Sequence, residues 1–131
     1  MFRFTRPLLQ HALKSSTGIT GMAVHPKPLP VLLEAYQATL SRLSEIPQTS
    51  VYRQGAETLT QRKLEIVQDA NGDVDIVEKG LDEGQIEEAI LVAQDELSLV
   101  GKMIEWKAWE PLEEKPQPGQ WEYFGRTTQF K

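Results

Sequence analysis

The fold is decided by the stretch between Gln85 and Trp106, which reads QIEEAILVAQDELSLVGKMIEW. Apolar side chains recur along it at alternating steps of four and three residues. They are Ile86, Ile90, Ala93, Leu97, Val100 and Ile104. This spacing is typical of a helix that packs along one seam of a helical bundle. We expect Asp82 to cap this helix, with Gln85 as its partner in a capping box.

A second apolar flank runs along the same helix beside the seam. It consists of Val92, Leu99, Met103 and Trp106. Seam and flank together cover roughly 200° of the helix circumference, whereas a surface helix needs about 100°. Either the helix lies at the centre of the bundle, or the flank is kept for a partner protein. A small core provides little net stability on its own, and association with a partner adds to the stability of the folded state. The size of the chain therefore favours the second explanation, a flank that binds a partner protein.

The remaining helices follow from proline placement and apolar spacing. One is predicted from about Pro30 to Glu45 and a second from about Ser50, a plausible N-cap, to Gln68. In the second, one face is predicted to hold Tyr52, Ala56, Leu59, Ile66 and Val67. Residues 74–81 are compatible with a further short helix. The predicted fold class is therefore all-α, a small three-helix bundle with an extended N-terminal segment and an irregular, aromatic-rich C-terminal tail.

The chain divides into four predicted segments. Residues 1–16 are basic and free of acids, as in a mitochondrial targeting segment, although a disordered basic N-terminus is the alternative. Residues 17–29 form an extended lead-in rich in glycine and proline. Residues 30–110 form the bundle, and residues 111–131 form an extended tail with further prolines and aromatic side chains.

The amino-acid composition excludes several classes of catalytic and binding function. The formal net charge is −5, which argues against a nucleic-acid binder. The absence of cysteine excludes thiolate catalysis and Cys-ligated metal sites. The acidic residues of 73–78 and 87–88 are interpreted as solvated helix faces rather than cation ligands. A small helical mutase would need several inward-facing cations, and only Lys63 is predicted to face inward. We expect no catalytic residue, cofactor, metal ion, small-molecule substrate or membrane span.

The C-terminal region holds half of the aromatic residues of the chain, five of ten, within residues 107–131. Aromatic side chains are enriched at the energetic centres of protein interfaces. We therefore predict partner contacts from the flank and the tail together. The predicted contact residues are Val92, Leu99, Met103, Trp106, Trp109, Pro111, Leu112 and Trp121. The alternatives are that the tail folds back over the bundle, or that the chain is a free helical adaptor docking through the tail.

One segment carries a specific family resemblance. Residues 102–112, KMIEWKAWEPL, strongly resemble the closing signature of an accessory subunit of mitochondrial complex I, the NADH:ubiquinone oxidoreductase 1 alpha subcomplex subunit 5 family. Weaker matches occur in the same order as in that family. They are TGITG at 17–21, EIP at 45–47, Tyr52-Arg53, QIEEAI at 85–90, Glu96-Leu97 and Gln120-Trp121. The residues after Trp121 extend beyond the animal pattern and suggest a fungal or divergent member.

The resemblance implies a helical bundle without cofactors, on the matrix side of the inner membrane. It implies that the partners are other complex I subunits, chiefly the 30-kDa core subunit of the peripheral arm. The implied role is to stabilise or help assemble that arm, without catalysis. An acid-free N-terminus suits delivery to the matrix.

Overall fold

A computed structural model describes residues 14–119 of the chain. Four helices form: α1 (Pro28–Leu43), α2 (Val51–Asp69), α3 (Val74–Leu81) and α4 (Ile86–Trp106). No strand occurs among these 106 residues, counted from 14 to 119 inclusive, so the predicted all-α class is confirmed. The number of helices differs from the predicted three, because residues 74–81 form a full element.

Local chemistry sets where three of the helices begin. The Ser50 hydroxyl accepts a hydrogen bond from the Arg53 N–H at 3.5 Å, as predicted for the cap of α2. The Asp73 carboxylate accepts from the Asp75 N–H at 2.9 Å and so caps α3. At α4 the N-cap is Gln85, whose N–H donates to Glu88 Oε2 at 2.8 Å.

The predicted capping role of Asp82 is wrong. Asp82 adopts a left-handed conformation with φ +54° and ends α3, with its N–H donating to the carbonyl of Glu78. A left-handed residue after the last helical turn is a common helix stop, and aspartate tolerates it better than most residues do. The chain therefore turns at Asp82 before α4 begins.

The most extensive helix–helix packing is that of α1, which contacts both α4 and α2. The larger core cluster joins α1, the C-terminal half of α2, α3 and the first half of α4. Its buried members are Leu32, Ala35, Tyr36, Val67, Ala70, Val77, Ile86, Ala89, Ile90 and Ala93. A smaller cluster of Leu43, Ile46 and Val100 closes the other end. Helix α4 packs mainly against α1 and only lightly against α3, and Val92, Leu99 and Trp106 on its flank stay exposed. A central position therefore does not explain the wide apolar face of α4.

The lead-in is fastened to the start of α4. Lys14 Nζ lies 2.5 Å from Glu87 Oε2, and the His25 N–H donates to Glu87 Oε1 at 3.1 Å. The Gln85 amide donates to the Thr17 carbonyl at 2.6 Å. We call residues 14–25 the N-terminal clasp. Because these contacts come from both ends of the clasp, residues 14–25 belong to the folded unit.

Glu87 makes the stability of the chain depend on pH. Burial alone would raise the pKa of Glu87, but hydrogen bonds from Lys14 and the His25 N–H hold it below its ordinary value of 4.5. A depressed folded-state pKa stabilises the fold above pH 4.5, and this contribution is lost as the pH falls through the folded value. A second carboxylate, Glu78, shares the same ammonium group, since its Oε1 atom lies 3.6 Å from Lys14 Nζ.

We therefore expect Glu87→Gln to reduce the free energy of unfolding at pH 7 and to have a smaller effect at pH 3. Urea unfolding of both chains at the two pH values measures this difference. An equal effect at both pH values would show that the charge of Glu87 contributes nothing to the fold.

Gly55 lies inside α2 without a packing reason. A Cβ added there would have no atom within 4 Å. Glycine in a helix interior costs up to about 1 kcal/mol relative to alanine. Gly55→Ala is therefore expected to raise the free energy of unfolding by ~1 kcal/mol in chemical denaturation. Gly72→Ala is the matched control, expected to destabilise because Gly72 has φ +92°. A lower stability for Gly55→Ala would contradict this account of α2.

Candidate partner interface

The second apolar flank of α4 is largely open to solvent. Val92 is 48% exposed, Leu99 39% and Trp106 63%. Met103 differs, because it is partly buried and packs against the smaller core cluster. The seam of the same helix faces inward, with Ile86, Ile90 and Val100 buried. The structure thus separates the two stripes of α4 into a core face and an unpartnered apolar face.

The two tryptophans at the end of α4 face different surroundings. Lys107 adopts a left-handed conformation with φ +50° and ends the helix. Beyond this stop Trp109 packs against the cluster of Leu43, Ile46 and Val100. Trp106 is the last residue of the helix, and most of its side chain is exposed to solvent. Of the predicted contact residues, Trp109 thus supports the core of the chain, whereas Trp106 is available to a partner.

The first part of the predicted tail is exposed. Pro111 and Leu112 both lie on the surface, and Leu112 is 73% exposed. Two exposed apolar side chains therefore follow the C-terminal end of α4. Trp121, the remaining predicted contact residue, lies outside the described residues, as do residues 1–13 of the predicted targeting segment.

A groove between α2 and α4 adds a surface that sequence reasoning missed. It encloses about 390 Å³ over α1 and is lined by apolar side chains together with a few polar ones. Val51, 82% exposed, and Leu59, 55% exposed, line its α2 side, and Val92 lines its α4 side. Leu59 shares one face of α2 with Tyr52 and Ala56, as predicted, but that face lines the open groove and is not buried at Leu59. Val92 makes the groove continuous with the exposed flank.

Two tyrosines bring hydroxyl groups to this groove. The Tyr52 hydroxyl donates to Glu96 Oε1 at 2.6 Å and so links α2 to α4. The Tyr36 hydroxyl is buried at the base of the groove with no hydrogen-bond partner among the described residues. Burial and the nearby charge of Glu83 raise the pKa of Tyr36. Both hydroxyl groups are therefore protonated at neutral pH.

Four of the five acidic residues considered as cation ligands have structural partners. Asp73 and Glu88 cap helices α3 and α4, and Glu87 pairs with Lys14. Glu78 Oε1 accepts the Ile86 N–H at 2.8 Å. Over residues 14–119 no group of three potential ligand side chains comes together as a metal would require. No helix in that range is long and apolar enough to cross a membrane.

Comparison with known proteins gives consistent results. The family model described as "ETC complex I subunit conserved region" matches residues 21–88. The chain is 46% identical over 111 residues to NADH dehydrogenase (ubiquinone) 1 alpha subcomplex subunit 5 of Bos taurus, covering 85% of this chain and 95% of the relative. It is 46% identical to the alpha subcomplex subunit MCI4 of Candida albicans, covering 84% of this chain and 79% of the relative.

A plant relative extends the comparison. The probable mitochondrial alpha subcomplex subunit 5 of Arabidopsis thaliana is 41% identical, over 79% of this chain and 60% of its own length. The similarity therefore reaches animal, fungal and plant proteins, and in the cattle protein it covers nearly the whole length. The chain belongs to the NADH dehydrogenase (ubiquinone) 1 alpha subcomplex subunit 5 family.

Proposed function

We propose that the chain is a non-catalytic accessory subunit of mitochondrial respiratory complex I. Family membership supports this role, since relatives from cattle to plants carry that subunit name over most of this chain. The mitochondrion is then the site of action, with the acid-free N-terminus as a targeting segment. Within this role, the chain stabilises or helps assemble the peripheral arm on the matrix side of the inner membrane.

The proposed way in which the chain contacts its partners rests on the exposed apolar flank of α4. Val92, Leu99 and Trp106 recur every seven residues on one side of α4 and are all exposed. Pro111 and Leu112, which follow the end of the helix in the chain, are exposed as well. Burying such side chains against a partner removes apolar surface from water, which favours association. Tryptophan is also among the residues most often found at energetic hot spots. We propose that this surface contacts other complex I subunits, chiefly the 30-kDa core subunit.

The alternative is a free helical adaptor that docks through its tail alone. That alternative predicts that a peptide of residues 107–131 binds the partner by itself. Trp109 packs on the core of its own chain, however, and the exposed flank lies on α4, so the isolated peptide lacks most of the proposed surface. We expect the peptide to bind far more weakly than the full chain, as measured by competition for the partner.

Depletion of the chain tests the role. Mitochondria lacking it are expected to contain less assembled complex I on native gels, and the wild-type chain should restore the amount. Cross-linking with mass spectrometry then identifies the neighbour of α4. Normal levels of assembled and stable complex after complete depletion would contradict the stabilising role. Cross-links from the flank to a protein outside the complex would contradict the docking mode.

A further inference from the structure

We propose that maturation leaves Lys14 on the protein, so that any removable leader ends at or before residue 13. Composition alone places the end of the targeting-like segment at Ser16, because residues 1–16 share a basic, acid-free character. The structure divides that segment differently, since Lys14 is a part of the folded unit.

Lys14 provides the counter-charge for a buried carboxylate. Glu87 is 5% exposed, and Lys14 Nζ lies 2.5 Å from its Oε2 atom. The same ammonium donates to Gln85 Oε1 at 3.0 Å and lies 3.6 Å from Glu78 Oε1. One side chain of the targeting-like segment thus contacts three residues at the junction of α3 and α4.

The clasp that follows is held by its own contacts. Thr17 is 7% exposed, and its hydroxyl donates to the Met22 carbonyl at 2.7 Å, closing a small loop. Gly18 at φ +72° and Gly21 at φ +85° allow the chain to turn there. The loop delivers the His25 N–H to Glu87 Oε1. Residues 17–25 therefore help to hold the carboxylate, but none of their side chains is a lysine that could replace Lys14.

Cleavage on either side of Lys14 has different consequences. Cleavage before residue 14 keeps every contact of the clasp. Cleavage after Ser16 removes Lys14 and leaves the Glu87 carboxylate buried without its cation. Removing the partly exposed cation of such an ion pair is moderately destabilising, because the remaining carboxylate keeps part of its desolvation cost. A mature chain that begins at Thr17 would be less stable than one that begins at or before Lys14.

The first test is the N-terminus of the mature protein. Mass spectrometry of N-terminal peptides from isolated mitochondria should find a first residue at or before Lys14. A mature protein that begins at Ser15 or later would overturn the proposal. Neither result bears on whether the chain is a subunit of complex I.

The second test measures the ion pair in the full chain. Lys14→Met is expected to lower the melting temperature by roughly 5 °C, because it removes the partly exposed ammonium group that neutralises the Glu87 carboxylate. Lys102→Met is the matched control, since its partner Glu105 is exposed and surface ion pairs contribute little. In a Glu87→Gln background the Lys14 substitution should have a much smaller effect, because the charge it neutralises is gone.

The double variant also guards against a trivial outcome. If Lys14→Met alone fails to fold, the chain carrying both Lys14→Met and Glu87→Gln should recover a cooperative melting transition. Equal melting temperatures for the wild type and Lys14→Met would overturn the proposal, as would a Lys14 effect that is unchanged by Glu87→Gln.

Discussion

Replacing Trp106 with alanine is expected to leave the isolated chain folded while strongly weakening its association with complex I. Trp106 is 63% exposed, so its loss should change the free energy of unfolding by less than ~0.5 kcal/mol. At an interface hot spot the same truncation costs about 2 kcal/mol or more, which corresponds to roughly 30-fold weaker association. Urea unfolding measures the first quantity, and competition between tagged variants for incorporation into the complex measures the second.

Trp109→Ala is the matched control, only three residues further along the chain. Trp109 packs against Leu43, Ile46 and Val100, so its removal should destabilise the isolated chain by about 2 kcal/mol, less than the 3–5 expected in a full core. If Trp106→Ala destabilised the chain as much as Trp109→Ala and incorporated normally, the proposed division between core and partner surface would be wrong.

The second large effect is expected at Leu32. Its side chain is completely buried in the larger cluster, where α1 meets α4 and α2. Leu32→Ala removes buried methyl and methylene groups and leaves a cavity. Such a change typically lowers the free energy of unfolding by about 2–5 kcal/mol. Domains of this kind have only about 5–15 kcal/mol of net stability, so the loss should be severe. Chemical denaturation of the purified chain measures it.

Leu59→Ala tests the same chemical change at a different place. Leu59 is 55% exposed at the rim of the groove, so the isolated chain should lose less than ~1 kcal/mol. A cost at Leu59 equal to that at Leu32 would mean that the groove is closed in solution by part of the chain itself.

Local sequence information was sufficient for the helical core. Four of the six predicted seam residues of α4 are buried and the other two, Leu97 and Ile104, are half-buried. The seam is predictable because side chains three and four residues apart share a helix face whatever surrounds them. The Ser50 cap was predictable for a similar reason, since a hydroxyl before a helix can bond to a free N–H.

Tertiary arrangement could not be predicted in the same way. Periodicity correctly places Leu59 on one face of α2 with Tyr52 and Ala56, and all three line the groove. It does not show that the groove is open, so that Leu59 is exposed while Thr60 beside it is buried. The separate fates of Trp106 and Trp109 depend on the left-handed Lys107 between them, and lysine gives no local signal for positive φ. Sequence spacing therefore identified an apolar surface on α4 without showing which tryptophan belongs to it.

The N-terminal clasp depends on contacts that are distant in sequence. Lys14 and Glu87 are 73 residues apart by number, and each is unremarkable in its own segment. Composition therefore grouped Lys14 with the targeting-like residues before it. Only the fold shows that its ammonium group belongs to the start of α4.

The most direct test of the proposed role is native-gel separation of mitochondrial membranes, followed by mass spectrometry of the band with NADH dehydrogenase activity. The account predicts that this chain is present in that band at a level comparable to the core subunits. Its absence from the band, with the protein abundant elsewhere in the same mitochondria, would contradict membership of the complex and favour the free adaptor.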